Sequence, residues 1–268
     1  MKAEQCDVYS LDLPSRERTV PPEVRRVLAG YQNKMAGHLF RISRLDGLDG
    51  LASDHTLPRR FLTYMQKVME LCDDSNRFFM HYLRRSGRSI QCRPGCAHCC
   101  RNMPAGVSLA ELLYFYHGMH QSGVFSRLFR RCLEAEEWLA QLLLQCQGKE
   151  KASLAMPPTS ACPEEVLALY QDSGQPCRFS QGDLCQLYPF RPFVCRMHFS
   201  LTPSYWCDPG HFQFPHAMIV NLEPGACVYD ALDRIEQRLR IKISGILVGG
   251  ILELTINVMQ FEPIHWRS

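Results

Sequence analysis

The sequence predicts a mostly α-helical fold, a helical domain with an irregular Cys-rich metal-binding lobe, and three observations predict it. Apolar residues recur at spacings of three and four along most of the chain, the period of a helix face. Strands alternating with helices in βαβ order are not found in the pattern. Seven of the 14 cysteines crowd into two short segments, the second of them broken by prolines and glycines. At 268 residues, 46% hydrophobic and 21% charged, the chain is long enough to bury a core without disulfide staples. Residues 1–21 read as an N-terminal tail and 22–268 as a single helical domain, its metal site formed by 92–100 and 177–195.

The first helix runs from Pro22 to Arg44, where Val24, Val27, Leu28, Tyr31, Met35 and Leu39 make one face. Asp46 to Pro58 reads as a loop. Its Asp46, Asp49 and Asp54 resemble a calcium loop in kind, but the alternating oxygen ligands and closing Glu are missing. Pro58 opens a long helix to about Arg85, with Phe61, Met65, Val68, Cys72, Phe79 and Leu83 inward and Gly87 as its stop. Ser108 and Glu111 form a capping box ahead of Leu112, Leu113, Phe115 and Tyr116, so a helix starts soon after Cys100. The first cysteine group therefore lies in a loop between helices.

Phe125 to Gln147 is amphipathic, with Leu128, Cys132, Leu133, Trp138, Leu142 and Leu143 on one side and Gly148 at its end. A connector from Lys149 to Pro163 and a short helix from about Glu164 to Asp172 follow. From Gln175 to His216 prolines and glycines break every long element, so something other than backbone ladders must hold the chain, and metal ligation is the economical candidate. Residues 228–248 read as a helix. Ile251 to Phe261 stays open between helix and strand, because Leu252, Leu254, Ile256 and Val258 alternate.

Thirty basic against 27 acidic residues, a net charge of +3, is too even a balance for a nucleic-acid stripe or a polybasic membrane patch. The apolar run Ile243 to Leu252 falls well short of the ~18 residues that cross a bilayer. Met1 to Pro14 carries no apolar signal core, which points to the cytoplasm and to reduced thiols. In that setting 14 cysteines indicate metal or redox chemistry. Cys6, Cys72, Cys132, Cys146, Cys162, Cys207 and Cys227 are scattered, and most of them read as small buried hydrophobes.

The first group is Cys92-Arg-Pro-Gly-Cys96-Ala-His-Cys99-Cys100. Gly95 permits a tight turn, and the two-residue gap from Cys96 to Cys99 builds a chelating knuckle of the kind found in zinc and iron–sulfur sites. The second group holds Cys177, Cys185 and Cys195. Because Cys99 and Cys100 are adjacent and their side chains diverge, neither group alone closes a four-thiolate shell, and the two should meet. The ligands are drawn from Cys96, Cys99 or Cys100, Cys177, Cys185 and Cys195, with Cys92 the remaining member.

These residues resemble the CxxCxxCC zinc- or iron-chelating family of YkgJ-type cysteine-cluster proteins. The match covers Cys92 to Cys100, the helix start Val107-Ser108-x-x-Glu111, and Pro176 to Arg196, three blocks in order that span well under half the chain. Flagellin lysine methylases are similar in carrying such a cluster. The resemblance implies metal or iron–sulfur binding more firmly than a reaction, redox and methyl transfer being the chemistries in view. The chain departs from the commonest family form in having three residues between Cys92 and Cys96, which leaves the role of Cys92 open.

Seven clustered cysteines with only His98 and His198 nearby favour thiolate-only ligation and an iron–sulfur cluster, zinc being the alternative. Arg191 and Arg196 flank the second group, and their guanidinium groups would offset the negative charge of a four-thiolate cofactor. A metal-binding protein with an unidentified protein or redox partner is the leading expectation; a structural zinc-binding protein-interaction module is the other. Two rivals share the spacing: radical S-adenosylmethionine enzymes and dithiol oxidoreductases. Both require βα units that this chain lacks. The segment His198 to His216 is rich in aromatics and offers His211 or His216 as a base, though such residues more often fill irregular chain around a metal site. No GxSxG elbow, Walker loop, GxGxxG or HExxH is present.

Overall fold

The computed structural model describes residues 20–93, 95–146, 170 and 174–268, of which 142–146 by backbone alone. Most of the expected tail, Gly148, the 149–163 connector, the 164–172 helix apart from Tyr170, and the side chains of Leu142, Leu143 and Cys146 lie outside the described residues, as do Cys6 and Cys162.

The fold is mostly α. In order come α1 (Pro22–Ile42), α2 (Gly50–Asp54), β1 (Thr56–Pro58), α3 (Arg59–Arg85), α4 (Leu109–Gln121) and α5 (Phe125–Cys146). Two short antiparallel pairs follow, β2 (Ser180–Gln181) with β3 (Leu184–Cys185) and β4 (His198–Ser200) with β5 (Ile219–Asn221). The chain closes with α6 (Ala226–Leu239), α7 (Leu247–Glu253) running into a π turn at Leu254–Val258, and β6 (His265–Arg267). No helix among the described residues is long and apolar enough to cross a membrane.

Helix α4 is the hub. Leu109 to Tyr116, Gly118 and Met119 are all buried, and a helix apolar on every side must be surrounded. Its neighbours are α3, α5, α6 and α7, while α1 lies along α3 and α6. One cluster of buried side chains runs from Met35 to Ile264. A second, smaller one joins Val24 and Leu28 of α1 and Phe79 and Leu83 of α3 to Phe199 of β4 and Val220 of β5. That second cluster seats the β4–β5 pair at the end of α3, where the first cysteine group begins.

The inner side of α3 is as expected, with Phe61, Met65, Val68, Cys72, Phe79 and Leu83 all buried. On α1 the buried stripe is Val24, Leu28, Gln32, Met35, Leu39 and Ile42, whereas Val27 is 42% exposed. Two expectations need correction and one open reading is resolved. The 46–58 stretch is not simply loop: it contains α2 and β1, and β1 pairs in parallel with β6, Thr56 facing His265. The 228–248 helix stops early, because Arg240 takes a left-handed backbone (φ 57°) and the chain turns before α7. Residues 251–258, open between helix and strand in the sequence, are helical: Leu252 and Leu254 are buried, whereas Ile256 is exposed. Asp54 is held by the Thr56 hydroxyl and by Arg267 at 2.6 Å, a structural employment.

Candidate metal centre

After α3 the chain runs beside β4: the Gln91 N–H donates to Ser200 O at 2.9 Å and the Ser200 N–H donates to Cys92 Sγ at 3.2 Å. Gly95, at φ +83°, turns the chain, and the Cys96 N–H closes that turn on Arg93 O at 3.0 Å. His98–Arg101 then form a 3-10 turn. With three residues per turn, consecutive side chains leave such a turn in different directions. The Cys99 and Cys100 thiols are nevertheless hydrogen-bonded to each other; beyond that pair Cys99 neighbours Cys96 and Cys92, while Cys100 neighbours Cys177, Cys185 and Cys195.

The second group is fixed by hydrogen bonds to backbone carbonyls. Arg131 of α5 donates to Ser180 O at 2.6 Å, and the Ser180 N–H and hydroxyl both donate to Cys177 O. The Tyr170 hydroxyl donates to Pro176 O at 3.1 Å. Cys195 sits on a 3-10 turn, Phe193–Cys195, whose first N–H donates to the Glu111 carboxylate at 2.7 Å. Glu111 also completes the capping box of α4, accepting from the Ser108 N–H at 2.9 Å. One buried carboxylate thus ties the hub helix to the turn that carries Cys195.

The two arginines divide the work. Arg196 is buried, and its guanidinium is committed to Asp73 at 2.6 Å, Pro189 O at 2.8 Å and Arg191 O at 2.7 Å. Asn76 of α3 holds the Arg196 carbonyl at 3.0 Å. This residue shapes the 189–196 loop and lends a weaker field to Cys185. Arg191 stacks over the Tyr188 ring at 3.5 Å and favours the thiolate forms of Cys100, Cys185 and Cys195.

Burial pushes the thiols of Cys177, Cys185 and Cys195 up, Cys177 to about 12, and the neighbouring thiols push further in the same direction. Cys100 moves the other way, to about 7, because Cys99 hydrogen-bonds to it and Arg191 stands near. Cys99 is correspondingly raised by the same hydrogen bond. The three raised thiols, Cys177, Cys185 and Cys195, release their protons readily only where a cation balances the charge.

The thiol donor set suits a soft metal or an iron–sulfur cluster. Arg178, next to Cys177, keeps a buried Nε with no hydrogen-bond partner, as befits a positive group beside a site for negative charge. Among the described residues, however, no three His, Cys, Asp or Glu side chains are gathered closely enough to enclose an ion as they stand. A cavity of about 90 Å³ opens against Cys100 and Cys177, with His98, Arg101, Ser180 and Asp183 on its wall.

The early and late groups therefore meet, but through Cys100 alone. Cys92 and Cys96 share a neighbourhood with Cys207, and Cys99 adjoins them as well as Cys100. Cys72, Cys132 and Cys207 are buried, as expected of scattered cysteines, and Cys227 is disulfide-bonded. His198 is engaged with Asn221 across β4 and β5, and neither His211 nor His216 borders the cavity. Asp73 and Asn76 were not legible in the sequence as supports, and Glu111 was legible only as a cap. Comparison with family models, with curated proteins and with solved structures returns no match to this chain.

Proposed function

We propose that this chain is a metal-binding cysteine-cluster protein that holds an iron–sulfur cluster on Cys100, Cys177, Cys185 and Cys195. One observation carries the reading: the 98–101 turn and the 177–195 loop, far apart in sequence, present four thiols to each other beside Arg191. Cys100, Cys177, Cys185 and Cys195 would hold the cluster, and the short 3-10 turns that carry Cys100 and Cys195 would adjust to it more easily than helices. Arg191 offsets the negative charge, Arg196 and Glu111 hold the loop, and the cavity gives a redox partner or substrate access to the sulfurs. Redox or methyl-transfer chemistry is the activity class that such a cofactor supplies when bound.

A second reading, a structural zinc-binding protein-interaction module, draws on Leu184 and Tyr188, which stand 63% and 57% exposed beside the ligand turns. Anaerobic purification separates the two. Stoichiometric iron and sulfide with a colour bleached by dithionite support the cluster, and colourless protein with zinc supports the module. Cys195→Ser should abolish iron–sulfur loading while Cys72→Ala, a buried thiol on α3, leaves it intact. Equal loss in both variants, with helix content unchanged by circular dichroism, would overturn the ligand assignment.

A further inference from the structure

We infer that Cys92, Cys96, Cys99 and Cys207 form a second four-thiol centre, adjoining the first at the neighbouring residues Cys99 and Cys100 and suited to a soft divalent ion such as zinc. Three chain segments build it. The knuckle from Cys92 to Cys99 supplies three sulfurs, and the 3-10 turn Ser204–Cys207 packs against the 98–101 turn to supply the fourth. The two turns are clamped by Arg101, whose Nε lies 3.2 Å from Asp208 Oδ2, with His98 Nδ1 at 3.9 Å from the same oxygen. Within the group Cys92 and Cys96 are hydrogen-bonded, and Cys207 stands in the field of Cys96 and affects Cys92.

Ser200 belongs to this group as its support. Its N–H donates to Cys92 Sγ at 3.2 Å, and its hydroxyl, which also meets Thr202, is hydrogen-bonded to Cys207. An N–H aimed at a sulfur is the contact that steadies a metal thiolate. The adjacent pair Cys99 and Cys100 thus splits between two centres, which explains why one knuckle carries a doubled cysteine and why Cys92 has a use despite its spacing. Binding is written simply: four thiols give four protons to solvent and form four bonds to one zinc ion, leaving a dianionic centre beside Arg101.

Zinc titration of the anaerobic, reduced, metal-free full-length chain tests this. Two zinc ions per chain are expected, each accompanied by the loss of four titratable thiols. Cys207→Ser should retain one and Cys195→Ser should retain one, with both lost in the double variant. One zinc per chain that Cys195→Ser removes and Cys207→Ser spares would overturn this inference and leave the first centre standing. One that Cys207→Ser removes and Cys195→Ser spares would sustain the inference and remove the first. Should Cys207→Ser fold poorly, Ser200→Ala, its backbone N–H intact, provides the check: it should weaken one zinc site severalfold and not the other, and equal weakening of both sites counts against two centres.

Discussion

Glu111 shows how a single buried group can govern a site it never touches. It is 2% exposed, accepts hydrogen bonds from the Ser108 N–H, the Ser108 hydroxyl and the Phe193 N–H, and so couples the start of α4 to the Cys195 turn. Burial raises its carboxyl above the ordinary value, against the weaker pull of those donors and Arg196. Between the unfolded value and the raised one, the folded chain holds a proton that the unfolded chain has released, so stability falls as pH rises through that window. Glu111→Gln removes the titration, and its single carbonyl oxygen cannot serve all the donors, at a cost of about 1–3 kcal/mol. Denaturant unfolding across the weakly acidic to neutral range should find the wild-type advantage shrinking as pH rises. A constant difference would show that Glu111 does not titrate in the folded state. The capping box was legible because it is local; the Phe193 contact was not, because nothing near either residue announces a partner so distant in the chain.

At the scale of elements, α4 meets the cysteine-bearing loop at a glycine. Phe190 lies over Gly118 so closely that a β-carbon there would overlap the ring, and Tyr114 flanks it with ring centroids 5.1 Å apart. Phe190 precedes Arg191, the arginine that faces the thiols. Gly118→Ala should therefore cost about 1–3 kcal/mol by overpacking, despite alanine's better helix propensity. It should also weaken metal retention by displacing Arg191. A variant as stable as the wild type would mean that Phe190 turns away without consequence. Helices with a continuous apolar stripe, α3 above all, were readable from spacing alone. The β1–β6 pair was not: its strands are three residues long and sit near opposite ends of the chain, and Trp266 Nε1 reaching His117 at 3.3 Å is a contact that no local period encodes.

Across the whole molecule, order is divided unevenly. The helices bury their own backbone bonds and pack around α4, whereas residues 174–225 are held by strands of two or three residues and arginine-to-carbonyl bonds. The sequence made this division visible, since prolines and glycines exclude long elements there and the thiols gather in the same stretch. It did not show that the turn Ser204–Cys207 packs against the 98–101 turn, because no local pattern links two segments so far apart along the chain. A ligand bound only to the folded form stabilises it by about 2.7 kcal/mol when free at a hundred times its dissociation constant. Zinc added to metal-free protein should thus raise the melting temperature. In hydrogen exchange, protection should rise chiefly in residues 174–225 and little in α3 and α4, whose order does not depend on the sulfurs. Chelation should reverse both effects while helix content holds. Uniform protection, or a melting temperature indifferent to zinc, would mean that packing alone holds the irregular chain and that the thiols are bystanders in it.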